Sequence, residues 1–429
     1  MSTAPLRLGI AGLGTVGIGV VKIVQAHADL IAARAGRPVV ISAVSARDRS
    51  KNRDADVSGY SWETDPVVLS SRDDVDVFVE VMGGHDGPAK AATEAALASG
   101  KHVVSANKAL LAHHGQALAE TAEAAGLALR FEAAVAGGIP VIKALTEGLA
   151  GNRIKRVMGV MNGSCNYILT RMQSANLPYE TVFEEARQLG YLEADPNLDV
   201  GGIDAGHKLS LLAAIAFGTR VAFDAVELEG IGAVSIDDIR LAADMGYRIK
   251  LLGVAQMTGR GLEQRMTPCL VPADSPLGQL QGGTNMVVLE GDSVGQIVLR
   301  GPGAGMGPTA SAVMADVIDI ARGFRLPTFG QPATTLFAAQ PARSATPASY
   351  YLRMTLLDKP GALAKIATCL GESGVSIDQM RQYGHEGANA PVLIVTHKAA
   401  PDDVAHAMTR FAATGVLVGA PVAIRIEEV

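Results

Sequence analysis

The residue types in this sequence best suited to proton and charge chemistry are two lysines and a run of acids. Residues 190–208 read Gly-Tyr-Leu-Glu-Ala-Asp-Pro-Asn-Leu-Asp-Val-Gly-Gly-Ile-Asp-Ala-Gly-His-Lys, a turn dense in carboxylates that leads into a helix. Asp204 and Lys208 stand four apart and so share a helix face. An isolated pair at that spacing is more often a surface ion pair, with the neighbouring acids capping the helix. A second lysine shifts the balance: Lys108, in Ser105-Ala106-Asn107-Lys108, follows the fourth strand-like run, at the edge where doubly wound sheets bind ligands. Two lysines and three acids converging there would serve a zwitterionic ligand.

Such groups need elements to hold them. Short apolar runs at 6–11, 39–44, 75–81, 102–105 and 127–131 alternate with Ala-rich helical stretches, which predicts an α/β fold: a Rossmann-type doubly wound parallel sheet over residues 1–150. Directly after the first run comes Ala11-Gly12-Leu13-Gly14-Thr15-Val16-Gly17, opening a helix. Gly12 permits the tight turn, Gly14 lets backbone N–H groups approach a pyrophosphate, and Gly17 lets the helix pack close to the strand. The helix start at Thr15 and Val16 then offers partial positive charge to the diphosphate. After the second run stand Ser45-Ala46-Arg47 rather than a carboxylate, with Arg49 and Lys51 behind, which favours NADP over NAD. A solvated basic loop is the alternative there, and Asp48 keeps it open.

Beyond residue 151 the pattern changes to longer helical stretches at 179–189 and 203–217, strand-like runs at 286–289 and 296–299, and a helix at 309–322 that is expected to return to the first domain. Residues 325–349 carry Pro327, Pro332, Pro341 and Pro347 without periodicity and read as a linker. Residues 350–429 form a third, smaller unit.

Four segments, in order, resemble the homoserine dehydrogenase family: 100–111 (Gly-Lys-His-Val-Val-Ser-Ala-Asn-Lys-Ala-Leu-Leu), 131–140 (Phe-Glu-Ala-Ala-Val-Ala-Gly-Gly-Ile-Pro), 162–169 (Asn-Gly-Ser-Cys-Asn-Tyr-Ile-Leu) and the acidic stretch ending at Lys208. With the glycine loop they span most of residues 6–322. The resemblance implies interconversion of L-homoserine and L-aspartate 4-semialdehyde with NAD(P), in threonine, methionine and isoleucine biosynthesis. It implies Lys208 as acid/base, Lys108 and Asp204 beside it, and a substrate loop of Glu193, Gly190 and Asp199. A lysine desolvated beside a second lysine is expected to have a lowered pKa. The resemblance also implies a cofactor set that adds Ser105, Lys108, Gly303 and Gly305 to Gly12, Gly14, Thr15, Val16, Gly17 and Arg47. Glu132 and the carbonyls of Val135, Gly137 and Ile139 are implied to hold sodium or another monovalent cation, oxygen ligands suiting a hard ion. Residues 151–304 become the catalytic and dimerisation domain, and the helix near 305–324 completes the first domain.

Residues 350–429 resemble an ACT domain, a ferredoxin-like βαββαβ unit, through Asp358-Lys359-Pro360-Gly361-Ala362-Leu363 and Gly374-Val375-Ser376-Ile377. That implies an amino-acid effector, threonine being the choice, and a homodimer or homotetramer. A net charge of −6 leaves no basic field for nucleic acid or an anionic bilayer. Three scattered cysteines, no membrane-length apolar run and no secretory pattern in residues 1–7 point to the cytoplasm. His113, His114 and His207 lack metal-ligand spacing and are read as surface groups, and Cys165 as structural. Two other readings stay open: another NADP enzyme with this first domain, such as an aspartate semialdehyde or saccharopine-type dehydrogenase, and a non-catalytic sensor of NADP and amino acids.

Overall fold

Apolar runs too short to span a helix, separated by Ala-rich helices, can bury both faces only in a parallel sheet. The first six strands do so: β1 (Leu6–Ala11), β2 (Val39–Ser45), β3 (Ser61–Glu63), β4 (Val77–Glu80), β5 (His102–Ser105) and β6 (Leu129–Arg130), all parallel, in the order β3-β2-β1-β4-β5-β6. The computed structural model describes residues 4–193, 195–343, 346–383 and 387–429. Strand order reverses between β1 and β4, so their carboxyl ends flank the crevice where such sheets take ligands. The three-residue β3 has no apolar signature and went unforeseen.

A second sheet follows, built from β7 (Ile154–Val160), β8 (Glu227–Leu228), β9 (Tyr247–Thr258), β10 (Gly261–Pro272), β11 (Thr284–Gly291) and β12 (Gly295–Pro302). Its spine is the antiparallel hairpin of β9 and β10, paired over twelve residues each. These two strands escaped the sequence reading because they carry Lys250, Glu263 and Arg265 at buried positions, which breaks the apolar pattern of a core strand. Helices Gly163–Ala175 and Ile203–Phe217 pack against this sheet. Helix Met306–Ala321 returns to the first domain, lying against helix Thr15–Ala26 so closely that a Cβ on Gly19 would sit 2.8 Å from the Met306 carbonyl.

Strands β13 (Ser349–Leu357), β14 (Ile377–Gln382), β15 (Asn389–Thr396) and β16 (Leu417–Ile426), with helices Ala362–Glu372 and Pro401–Ala413, form a C-terminal βαββαβ unit. Its sheet is not separate. β16 pairs with β10 at Cys269–Arg425 and Leu270–Ile426, giving one ten-stranded sheet with the path β12-β11-β7-β9-β10-β16-β13-β15-β14 and β8 beside β10 off that path. At the seam Arg265, 2% exposed, lies 3.2 Å from Glu263 Oε1 and 2.5 Å from Glu427 Oε1. The Pro-rich stretch before the unit is no free tether either. Phe329 is fully buried, and the amides of Thr328 and Ala333 donate to the two carboxylate oxygens of Glu123 at 3.0 and 2.7 Å.

Candidate active site

The glycine loop shows what each glycine is for. Gly12 has φ +103°, and a Cβ there would stand 2.6 Å from the Val81 carbonyl. A Cβ on Gly17 would stand 1.9 Å from the Gly12 carbonyl, so the helix could not start where it does. At Gly14 nothing lies within 4 Å, which leaves open space over the loop. Helix Thr15–Ala26 has neither a side-chain cap nor an acid in its first turn, so its leading amides keep their hydrogen-bonding capacity for an anion. The residues present fit a dinucleotide.

In the loop after β2, Arg47 and Arg49 are exposed. Asp48 is turned into its own loop: Oδ1 accepts from the amide and hydroxyl of Ser50 at 2.8 and 2.7 Å, and those bonds hold its carboxyl below the usual range. Arg53, which the sequence reading passed over, donates to the Asp48 carbonyl at 2.7 Å and reaches the Leu13 carbonyl at 3.4 Å. It thereby ties the basic loop to the glycine loop, while its guanidinium stands 5.2 Å from the Trp62 ring centre.

Glu80 was also missed. It ends β4, is fully buried, and accepts from the amides of Met82 (2.8 Å) and Gly83 (3.3 Å) and the hydroxyl of Ser105 (2.7 Å). Burial pushes its carboxyl up. An acid closing an otherwise apolar run was the available signal. Ser105, assigned to the cofactor, spends its hydroxyl here, also accepting from the Asn107 amide at 3.0 Å. It shapes the crevice floor. Asn107 Oδ1 then caps helix Lys108–Ala124 through the Leu110 amide at 3.1 Å, which sets Lys108 at the helix start.

Around Lys108 the charged residues do converge. Gly202, at φ +81°, starts helix Ile203–Phe217 and places Asp204 in its first turn, with Lys208 one turn on. The Asp204 carboxylate bridges two ammoniums: Oδ1 is 2.7 Å from Lys108 Nζ, and Oδ2 accepts from Lys208 Nζ at 2.5 Å. Lys208 also donates to the Met161 carbonyl at 3.0 Å. Glu193 Oε1 lies 3.8 Å from Lys108 and remains half exposed. Burial would push the Asp204 carboxyl up, but the charges of Lys208 and Lys108 outweigh it and hold it well down. At Lys108 burial works to lower the ammonium, and Asp204 with Glu193 overrides it, so the pKa is raised. A second lysine alone does not decide the matter when a carboxylate stands between the two.

The chain matches the family described as homoserine dehydrogenase over residues 140–318, its NAD-binding domain over 12–132, and the ACT domain over 350–415. It is 44% identical to a homoserine dehydrogenase of Neisseria gonorrhoeae over 92% of each chain, and 40% identical to that of Pseudomonas aeruginosa over 99% of each. A homoserine dehydrogenase structure from Thiobacillus denitrificans superposes with a TM-score of 0.93 at 38% identity, covering 99% of both chains. A hyperthermophilic archaeal homoserine dehydrogenase in complex with NADPH covers 75% of this chain and 99% of its own, at 27% identity and a TM-score of 0.62. The chain belongs to the homoserine dehydrogenase family.

As a homoserine dehydrogenase it is an oxidoreductase that binds a nicotinamide cofactor. Within the acidic loop before helix Ile203–Phe217, Asp199 is buried and both its oxygens accept from the protein, Oδ1 from Asn162 Nδ2 and Oδ2 from the Glu193 amide, each at 2.9 Å. Those two bonds hold the loop in place. Gly190, exposed at φ +75°, ends the preceding helix turn. Gly303 is likewise a packing position: a Cβ there would meet Asn285 Nδ2 at 1.9 Å, whereas exposed Gly305, φ +115°, starts the uncapped helix Met306–Ala321 beside the first helix.

His207 is not the surface group expected. It is buried against Phe223, ring centres 4.1 Å apart, and burial with nearby His113 pushes it down to about 4. Among the described residues no cluster of His, Cys, Asp and Glu could hold a metal, and no single helix is long and apolar enough to cross a membrane. Cys165 is buried, donates to the Asp199 carbonyl at 3.3 Å, and has its thiol pushed up by burial.

Gly14→Val should fold as the parent does, because its Cβ enters open space at an ordinary φ of −82°. Cofactor affinity, read by nicotinamide fluorescence, should fall by more than about tenfold, as branched carbons occupy the approach of the diphosphate. Undiminished binding would place the dinucleotide elsewhere.

Proposed function

We propose that this homoserine dehydrogenase interconverts L-aspartate 4-semialdehyde and L-homoserine with NADP, using Lys208 as the acid/base, in the biosynthesis of threonine, methionine and isoleucine. The observation that carries this reading is the single buried carboxylate of Asp204 shared by Lys108 and Lys208 at the carboxyl edge of the first sheet. The dinucleotide, when bound, supplies or accepts the hydride. Lys108, whose pKa is raised, serves as a fixed ammonium that orients polar groups. Lys208, pinned between Asp204 and the Met161 carbonyl, donates a proton to the aldehyde oxygen and takes it back from the hydroxyl in reverse. Glu193 has an exposed carboxylate for the substrate ammonium, and Asp199 fixes its backbone. Arg47, exposed beside a carboxylate already used by Ser50, supports preference for the 2′-phosphate.

A monovalent cation fits beside Glu132. That carboxylate is 2% exposed, accepts from the amides of Ile142 and Lys143 at 2.9 and 2.8 Å, and is pushed up to about 7 by burial and by Asp316. Each of its oxygens keeps a lone pair free, and the carbonyls of Val135, Gly137 and Ile139 lie in the same loop. The ACT unit, bonded into the catalytic sheet, would carry feedback by an amino acid, for which threonine is the candidate.

Lys208→Ala is expected to cut kcat by about 10²–10⁴-fold with NADP binding nearly intact. A wild-type kcat would remove Lys208 from the reaction. Arg47→Ala should weaken NADP about tenfold or more while sparing NAD, since a charge-assisted hydrogen bond is lost only with the former; equal losses would leave Arg47 a structural role. Replacing choline by sodium at constant ionic strength should raise Tm in the parent and not in Glu132→Gln, and a matched rise in both would exclude the Glu132 loop as the cation site. Threonine should inhibit with a coupling of about 1–3 kcal/mol, and indifference to threonine in initial-rate assays would refute that effector.

A further inference from the structure

Lys250, in β9, is 4% exposed. Its ammonium donates to Asn166 Oδ1 at 2.9 Å and to the Leu280 carbonyl, both neutral acceptors. Lys208 and Arg265 are comparably buried, and each faces a carboxylate. Lys250 faces Arg248 instead, and burial together with that guanidinium pushes it down to about 8. A buried charge left without a counter-charge is costly.

Lys250 lines a cavity of about 280 Å³, opening beside helix Gly163–Ala175, to which Arg248, Thr170, Gln173, Ser174 and Gln281 also contribute. No acid lines it. The Thr170 hydroxyl oxygen is buried there without a hydrogen-bond partner. Two cations, an unpartnered hydroxyl and neutral amides form a donor-rich hollow, lacking only an acceptor that carries negative charge.

We propose that this cavity binds a small divalent oxyanion, of the phosphate or short dicarboxylate class, held by Lys250, Arg248 and Thr170. The volume suits a ligand of few heavy atoms, below the range of drug-sized pockets. The site is distinct from the glycine loop and from the Asp204 cluster. It backs onto the latter, because Asn166 lies on the helix whose N-cap, Asn162, holds Asp199.

The test uses the full chain saturated with NADP, so that the dinucleotide site is already filled. Tm is followed while inorganic phosphate, and separately succinate, replaces chloride at fixed ionic strength. A saturable rise with at least one anion is expected in the parent, since a ligand bound only to the folded chain stabilises it; the two arms identify the class. Lys250→Met, of similar length and uncharged, should abolish the rise, and Thr170→Val should weaken the anion about two- to tenfold with the ammonium still in place. No rise with either anion, or identical titrations in the parent and both variants, overturns the proposal.

Discussion

One carboxylate organises the candidate active site. Asp204 is nearly fully buried, and a bare carboxylate at that depth would take a proton rather than keep its charge. Two ammoniums prevent that, and the three groups form a minimal cluster in which each charge makes the others tolerable. The cluster constrains the surrounding backbone. Lys108 must open a helix at the end of β5, hence the Asn107 cap. Lys208 must sit one turn beyond Asp204, hence the sharp start at Gly202. The Met161 carbonyl must follow the end of β7 within reach of Lys208. Elements from both sheets are thus tied through one side chain.

What was legible in the sequence follows from what is local. The glycine loop and the pair at 204 and 208 are encoded by short spacing, because a tight turn and a helix face are set by neighbouring residues. Strand β5 and helix Ile203–Phe217 were read at their observed bounds, their apolar pattern being uninterrupted. Arg53 and the paired role of Asp199 were not legible, since each acts through a hydrogen bond to a backbone group that folding brings close; Glu80 left a signal as an acid closing an apolar run, but its side-chain partner Ser105 stands 25 residues on. Strands β9 and β10 were hidden for a related reason. Their buried charged groups bond partners far along the chain, Arg265 to the Glu427 carboxylate and Lys250 to the neutral Asn166 amide oxygen, and local pattern cannot show a distant partner.

The Pro-rich stretch taught the opposite lesson. Its composition is that of a linker, yet it is anchored by Glu123 and by the buried ring of Phe329. Prolines exclude regular hydrogen bonding, but they do not exclude packing. A segment with few backbone donors can lie on a surface at little cost when a single carboxylate meets the amides it does expose.

That anchoring changes how the ACT unit relates to catalysis. A domain on a loose tether could report only by colliding with the active site or by altering assembly. Here β16 extends the strand order from β10, whose antiparallel neighbour, β9, leads through β7 towards Met161. The unit also grips helix Ile236–Asp244 directly, Arg353 bonding Asp238 at 2.5 Å and Arg381 bonding Asp244 at 2.8 Å. A shift of β16 would therefore have to break buried ion pairs at Arg265 or carry β10 with it. Packed interfaces of this kind tend to have discrete arrangements rather than continuous ones. An effector that favoured one seating of β16 over another would bias the hairpin, and with it the strand that presents the carbonyl holding Lys208.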